Sequence, residues 1–599
     1  MRWILTSQGW LGAIVKSKGL IGVQILLAAT IGGGVAHAND IYIAQSAAGA
    51  NNGSSCTSPY AYSFFNATGN WGSGSNQIGP GTTVHICGTI ADSLNGTLLT
   101  AHGSGANGNP ITIQFESGAS LQSPGETQFI NGNGQSHFVI TGVTACGWVN
   151  LAEVPCTESI YNTLNGFSGQ TCPGGPCVNQ VQTTAIGNFT LDLTVRNLLI
   201  GPIYIHGGTS DTTFSSPGPV GISFGSGASL LTVNNVIIHD GGWCMNAIVS
   251  NLTMYNFEIY YCDHGNGGGQ YTDTPNTLST ISIHDGYIHD PYPWDQTNNA
   301  FHHDGLHLFS YCATLIGGNN TYCPNTIINN VNIYNMVFGG NWGQNNTANI
   351  FFEGNLTNVN LFNNVSLLTS LTYLLANGPF NGYGSNINYF NNTVLGPVNL
   401  VNNGNKFSIF CGPGMVVKNN AWTDGGMIST NGPWPNNCPY TLPSGAGGGT
   451  QNCTNLSYTL GTNAYLAPAD FSNGFGYSNC TAGNCTGNGF LNFNASGFAT
   501  YEAAAPETGG VFQDTTQPGG TWFNVSTGAE LTGSPTIKAG TNLSSLCTQN
   551  GGPLPNAFCS DIAGNVRPTQ GNWDIGAYQS GSTIVPPPLP PTNLTVTVH

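Results

Sequence analysis

One short motif returns along the middle of this chain and limits what the chain can fold into. LTVRNLLI, LTVNNVIIHDGG, LTMYNFEIYY, ISIHDGYIHD, IINNVNIYNM, VNLFNNVSLL, INYFNNTVLG and MVVKNNAWTDG each set β-type residues before an Asn or Asp and return to apolar residues after it. The anchors are Asn197, Asn235, Asn256, Asp285, Asn330, Asn364, Asn392 and Asn420, spaced by 38, 21, 29, 45, 34, 28 and 28 residues. A period of this length marks a solenoid, in which each repeat buries its apolar face only by stacking on the next. A second short run follows most anchors: GISF at 221, AIVS at 247, GLHLF at 305 and NIFF at 349. Runs this short, joined by turn residues with no amphipathic helix between them, fit the coils of an all-β parallel β-helix better than βαβ units. Asn suits the turns because it tolerates the left-handed conformation. Its amide can also bond the same residue one coil away, which predicts an interior ladder.

The β pattern extends toward the N-terminus through DIYIAQ, TTVHICGTI, PITIQF and HFVITGV. Residues 39–189 are therefore expected to form an N-terminal cap and the first coils, and 190–430 the central β-helix. Beyond Cys438 the repeat fades into Gly-, Asn-, Thr- and Ser-rich sequence. Residues 431–580 are expected as irregular C-terminal coils and loops, and 581–599 as a Pro-rich linker and tail. At the other end, Arg2, Lys16 and Lys18 flank an apolar run over 19–35 that closes on Ala36-His37-Ala38. This is the pattern of a signal peptide over 1–38. No later run of eighteen apolar residues exists, so no membrane span is expected. The protein is expected to be secreted or held at the cell surface, in an extracellular or periplasmic space.

Charge narrows the partners. Without residues 1–38, five basic residues face twenty-five acids, a net charge of −20. Neutralising phosphates takes clustered Lys and Arg, so nucleic acid and anionic membranes are excluded as partners. The seventeen Cys of an exported chain point to disulfides between near neighbours: Cys146 with Cys156, Cys172 with Cys177, Cys244 with Cys262, Cys312 with Cys323, Cys480 with Cys485, and Cys547 with Cys559. Cys56 with Cys87 and Cys411 with Cys438 are further candidates, leaving Cys453 over.

The Asn-marked repeats over 190–430 resemble the right-handed parallel β-helix proteins of the pectate-lyase-like superfamily, of the exported bacterial type. GSPTIKAG at 533–540, Asp561, Gly564, Arg567-Pro568 and DIGAY at 574–578 are similar to the closing segment of many such proteins. The resemblance implies a right-handed coil. It leaves the activity open, because the superfamily holds lyases, hydrolases, epimerases and proteins without catalysis.

Chemistry concentrates in ISIHDGYIHDPYPWDQTNNAFHHDGLHLFS, residues 281–310. Aligning the repeats on their anchors puts His239, Tyr260, His289 and Tyr334 in one column, a candidate glycan groove of aromatic faces and polar groups. Tyr292, Trp294, Asp295 and Phe301 are further candidates for substrate binding. In GLHLF, Leu306 and Leu308 are expected to point inward and Gly305 and His307 outward, with His303 on the same parity and Asp304 at the turn into the strand. HHDGLH is similar to the NTDGID-type motif of polygalacturonase-like hydrolases. That resemblance implies Asp304 as the acid and Gly305 as the point of substrate approach, with His302 and His303 standing where the family has Asn and Thr.

A hydrolase needs a second carboxyl across the bond, for which Asp290, Asp295 and Glu353 are the candidates. A lyase needs a base, for which His303 or His307 would serve. Asp263-His264 is a candidate to join from a neighbouring coil, although the glycines after it read as a loop. No Lys or Arg lies between Arg196 and Lys406. A polyuronate substrate would therefore call for calcium on Asp285, Asp290 or Asp295, and a neutral glycan would not. His302, His303 and His307 with Asp304 also offer ligands to a transition metal, at most two of the three His to one ion. The expected function is a polysaccharide hydrolase or lyase that acts as a monomer in a groove on the central coils. The alternative is a non-catalytic extracellular glycan-binding or surface structural β-helix protein.

Overall fold

The computed structural model describes residues 39–581, apart from 93–95, 125–127, 164–170, 173–174, 177–182, 205–218, 226, 273, 292–302, 312–325, 343–345, 368–372, 376–381, 396–404, 409–413, 424–426, 430–439, 443–448, 452–457, 468–470, 482–483, 494–506 and 515–521. The expected signal peptide, the Pro-rich tail, Tyr292, Trp294, Asp295 and Phe301 lie outside these residues.

The chain winds into a parallel β-helix. Coiling begins at once: Asp40–Ala44 pairs in parallel with Thr83–Cys87, which pairs with Ile111–Phe115, which pairs with Ser136–Gly142, which pairs with Leu191–Ile200. In the central coils the alternation of apolar residues sets the register. Leu193 and Val195 stack on Leu231 and Val233, and these on Leu252 and Met254, Ile281 and Ile283, Val331 and Ile333, Val359 and Leu361, then Ile387 and Tyr389. All fourteen are at most 1% exposed. Burial of each such side chain contributes roughly 2 kcal/mol relative to exposure, and a shift by one residue would turn every one of them to solvent.

Left-handed residues make the corners. Asn197, Asn235, Asn256, Asp285, Asn335, Asn363, Asn391 and Asn419 all have φ between 50° and 59°. A second left-handed column, which includes Asp192, Asn251, Asn330, Asn358 and Asn386, lies five residues earlier in each coil. The short polar side chains of Asn and Asp make this backbone accessible where larger residues resist it. The interior ladder of these coils runs beside the corner and not in it as expected: the anchors Asn364, Asn392 and Asn420 form it, while the left-handed residue is the Asn before each. The Asn364 amide donates to Asn392 Oδ1 at 3.0 Å, Asn392 to Asn420 at 2.9 Å, and Asn420 to Asn463 at 3.0 Å. Each backbone N–H of Asn364, Asn392 and Asn420 donates to the same oxygen, so these fully buried amides satisfy one another.

The two corner columns correct the sequence alignment. Asp285 corresponds to Asn335 and not to Asn330, and Asn335 Nδ2 donates to Asp285 Oδ1 at 3.0 Å. Tyr334 therefore pairs with His284, and Gly339 takes the place after His289.

Two additions flank the coils. The antiparallel pair Gly147–Val149 and Ala152–Val154 is tied by the Cys146–Cys156 disulfide and lies against the Asn corner. After the last rungs, up to Val511–Asp514, residues 522–581 run back along that corner as a strap. Asn363 Nδ2 donates to Ser560 O at 2.8 Å, Asn391 Nδ2 to Asp574 O at 3.2 Å, and Asn419 Nδ2 to Thr541 O at 2.8 Å. Arg567, 1% exposed, spans Asn363 Oδ1 at 3.1 Å and the carbonyls of Gly576 and Ala577 at 3.0 and 3.1 Å. Disulfides also join Cys56 to Cys87, Cys244 to Cys262 and Cys547 to Cys559. The side chains of Cys172, Cys177, Cys312, Cys323, Cys411, Cys438, Cys453, Cys480 and Cys485 lie outside the described residues.

Candidate functional site

Three successive coils build the strongest cluster. The ladder sets Trp243 beside His264 and His264 beside Asp304, while a second column sets Gly267 beside His307 and His307 beside Phe351. Residues paired this way stand about 4.8 Å apart along the stack, close enough for side chains to meet. Gly267 leaves a gap that the Trp243 ring occupies, since a Cβ there would lie 2.7 Å from the indole. The Trp243 and His264 rings stack at 4.7 Å.

Asp304 is not at a turn, as its motif suggests, but within the His303–Tyr311 strand, and the ladder is irregular at the His303/Asp304 step. Gly305 is also turned opposite to expectation. A Cβ on it would lie 2.9 Å from Phe338 and 3.1 Å from Trp342, both core residues, so Gly305 faces inward and opens no path to substrate. Leu306 and Leu308 point inward as expected.

Imidazoles and carboxylates alternate along a buried chain. His303 Nδ1 lies 2.8 Å from Asp263 Oδ1, and Asp263 Oδ2 lies 2.9 Å from His264 Nδ1. His264 Nε2 is 3.2 Å from Asp304 Oδ2, which is 3.5 Å from His307 Nδ1. None of the five is more than 7% exposed. Burial alone would raise the pKa of Asp263, but His264 and His303 hold it below the usual carboxylate range. For His264, burial pushes the pKa down, and Asp263 and Asp304 outweigh it, lifting it to about 10. The structure thus brings Asp304, His303 and His307 into one cluster and adds Asp263 and His264 from the Ser250–Tyr271 strand. That segment, taken for a Gly-rich loop, is a rung of the helix. Phe351 packs on His307 at 4.6 Å and Phe309 at 5.3 Å, while Trp243 and Phe309 stay half-buried. The cluster meets the surface on their side.

The second expected constellation has a different setting. His239, Tyr260 and His289 do stack, with ring centroids 4.8 and 5.2 Å apart. His289 is only 4% exposed, however, and the groove expected there is covered. The disulfide-tied hairpin supplies the cover: Trp148 packs on Tyr287 at 4.6 Å, and burial with the charge of Glu258 raises the Glu153 carboxyl pKa. Glu258, which sequence reasoning missed, accepts from His289 Nε2 at 3.0 Å, and Asp290 meets Nδ1 at 2.7 Å. Its only signal was alternation along the strand. Asp290 also accepts from the Asn341 N–H at 2.6 Å. Asp290 thus belongs to His289, and among the described residues Asp304 lies against His264 and His307. Glu353 pairs through its backbone with Phe309, and its side chain lies outside the described residues.

A cavity of about 500 Å³ lies between the hairpin and the strap, lined by Trp148, Leu151, Asn256, Asp285, Asn335 and Asp561 among others. Asp285 is held there by His284 at 2.6 Å and Asn335 at 3.0 Å. Both of its oxygens are therefore engaged, as both of Asp290's are.

No protein-family model matches the chain, and no curated protein does. Among solved structures it is similar to the crystal structure of pectate lyase Pel9A, at 12% sequence identity and a TM-score of 0.36, over 90% of this chain and 96% of that one.

Proposed function

We propose that the protein is a secreted polysaccharide-degrading enzyme, a hydrolase or a lyase, with its reaction centre at His264, Asp304 and His307. The observation that carries this reading is the buried chain His303–Asp263–His264–Asp304–His307. Sequestering five ionisable groups costs stability, and such clusters gather where chemistry needs them. Hydrogen-bond separations of 2.8 and 2.9 Å tie His303 through Asp263 to His264, and Asp304 stands 3.2 Å from His264 and 3.5 Å from His307, so an acid and two bases face one another at one spot. The cluster's outer end lies beside the half-buried Trp243 and Phe309, aromatic side chains of the kind on which sugar rings stack. His303 and Asp263 stand behind this end as positioning residues. The low count of basic residues favours a neutral glycan over a polyuronate.

The test is release of reducing ends or unsaturated products from a panel of neutral and acidic polysaccharides, comparing the wild-type chain with Asp304→Asn. Activity reduced by at least about 100-fold in the variant supports the reading. Glycan binding without turnover by both proteins would replace it with a non-catalytic binding rod.

A further inference from the structure

The same three side chains have the makings of a metal site, and the geometry points to a first-row divalent transition metal, with zinc first, held by His264 Nε2, Asp304 Oδ2 and His307. The ligand atoms of these residues all lie within 4.8 Å of one another. Two ligand atoms sharing one tetrahedral zinc at ordinary bond lengths stand about 3.3 Å apart. Asp304 Oδ2 is 3.2 Å from His264 Nε2 and 3.5 Å from His307 Nδ1. Both separations are longer than the roughly 2.7–2.9 Å of a charge-assisted hydrogen bond and bracket the spacing an ion would impose.

The surroundings support the same assignment independently. A metal-ligating His usually gives its other ring N–H to a carboxylate, which fixes the tautomer and aims the free nitrogen at the ion. Asp263 does this to His264, at 2.9 Å from Nδ1, and is itself anchored by His303 at 2.8 Å. The backbone ladder fixes all three ligands on neighbouring rungs, so the site is preformed. Two imidazoles and one carboxylate suit zinc, iron or cobalt. Calcium, which takes about six to eight oxygens, is poorly served by them. Three protein ligands leave a position open to a water or a sugar oxygen.

The proposal shares its location with the polysaccharide reading but not its premise. The mature chain, purified without a His tag and stripped of metal, is titrated with cobalt(II) alone and then with zinc(II) in competition. We expect one ion per chain, tetrahedral cobalt bands in the visible spectrum, and displacement by zinc. His264→Gln and Asp304→Asn should weaken uptake by more than about 100-fold, and Asp263→Asn by about 10–100-fold with the band positions unchanged. Circular dichroism melts establish that each variant is folded; if one is not, the wild-type spectrum and the remaining variants decide. A folded wild-type chain that takes up no ion overturns the proposal. So does uptake that is unchanged in the folded ligand variants. Ion uptake is read without sugar present, so the metal site and the glycan activity can fail separately.

Discussion

His289 has a carboxylate on each ring nitrogen, Asp290 on Nδ1 and Glu258 on Nε2, in a setting almost closed to water. Burial lowers its pKa, and the two carboxylates outweigh burial, so the folded value lies above the ordinary one. The stabilisation is fully present below the unfolded value of about 6.5 and fades as pH rises through the folded value. His289→Gln should therefore cost about 3 kcal/mol near pH 6 and progressively less in alkaline buffer. Thermal melts of both proteins across pH would show this, and a pH-independent difference would mean that the imidazole is uncharged in the fold. Asp304 stood out in the sequence because HHDGLH is dense in ionisable residues within a nearly uncharged chain. The inward turn of Gly305 did not, because a residue without a side chain carries no sign of the face it takes. Glu258 was hidden for another reason: its partner His289 is 31 residues away, and only the coil period brings them together.

At the level of elements, the repeat was legible because side chains that stack must match in kind. The slip came at the long coil between Asp285 and Asn335. Both Asn330 and Asn335 are left-handed there, and either satisfies a motif search. Of the hairpin over His289 only the Cys146–Cys156 crosslink was legible, since nothing in a short Cys-bounded segment says which face it will cover. Its closure can be tested. Replacing Cys146 and Cys156 together by Ser removes a crosslink of sequence separation 10, worth roughly 2–3 kcal/mol. Amide exchange should then quicken over residues 147–154, while residues 281–289 keep their protection. Unchanged exchange in the hairpin would mean that the packing of Trp148 on Tyr287 holds it without the bond.

For the molecule as a whole, the strap changes how a solenoid holds together. Coils that touch only their neighbours come apart piecemeal, but residues 522–581 bond Asn363, Asn391 and Asn419 at once. Arg567 is central to the attachment. Burial lowers its pKa to about 10, while Asp561, Glu530 and Asp574 act to keep it charged. Arg567→Met should cost about 3–5 kcal/mol by stranding these acids, and Arg567→Lys should restore little, because one ammonium cannot reproduce the fork. Denaturant melts would report the loss as an early transition of the strap. A single unshifted transition would show that the strap is held by its apolar contacts.

The strap also bears on how such a chain can change over generations. Repeat arrays commonly lengthen or shorten by duplicating or dropping whole units, because any unit fits against any other. Here three rungs are matched one by one to carbonyls on a segment of fixed length. Losing the unit between Asn363 and Asn391 would draw every later rung about 4.8 Å out of step with its partner. A change in the number of turns in this part of the protein would therefore need a matching change in the strap.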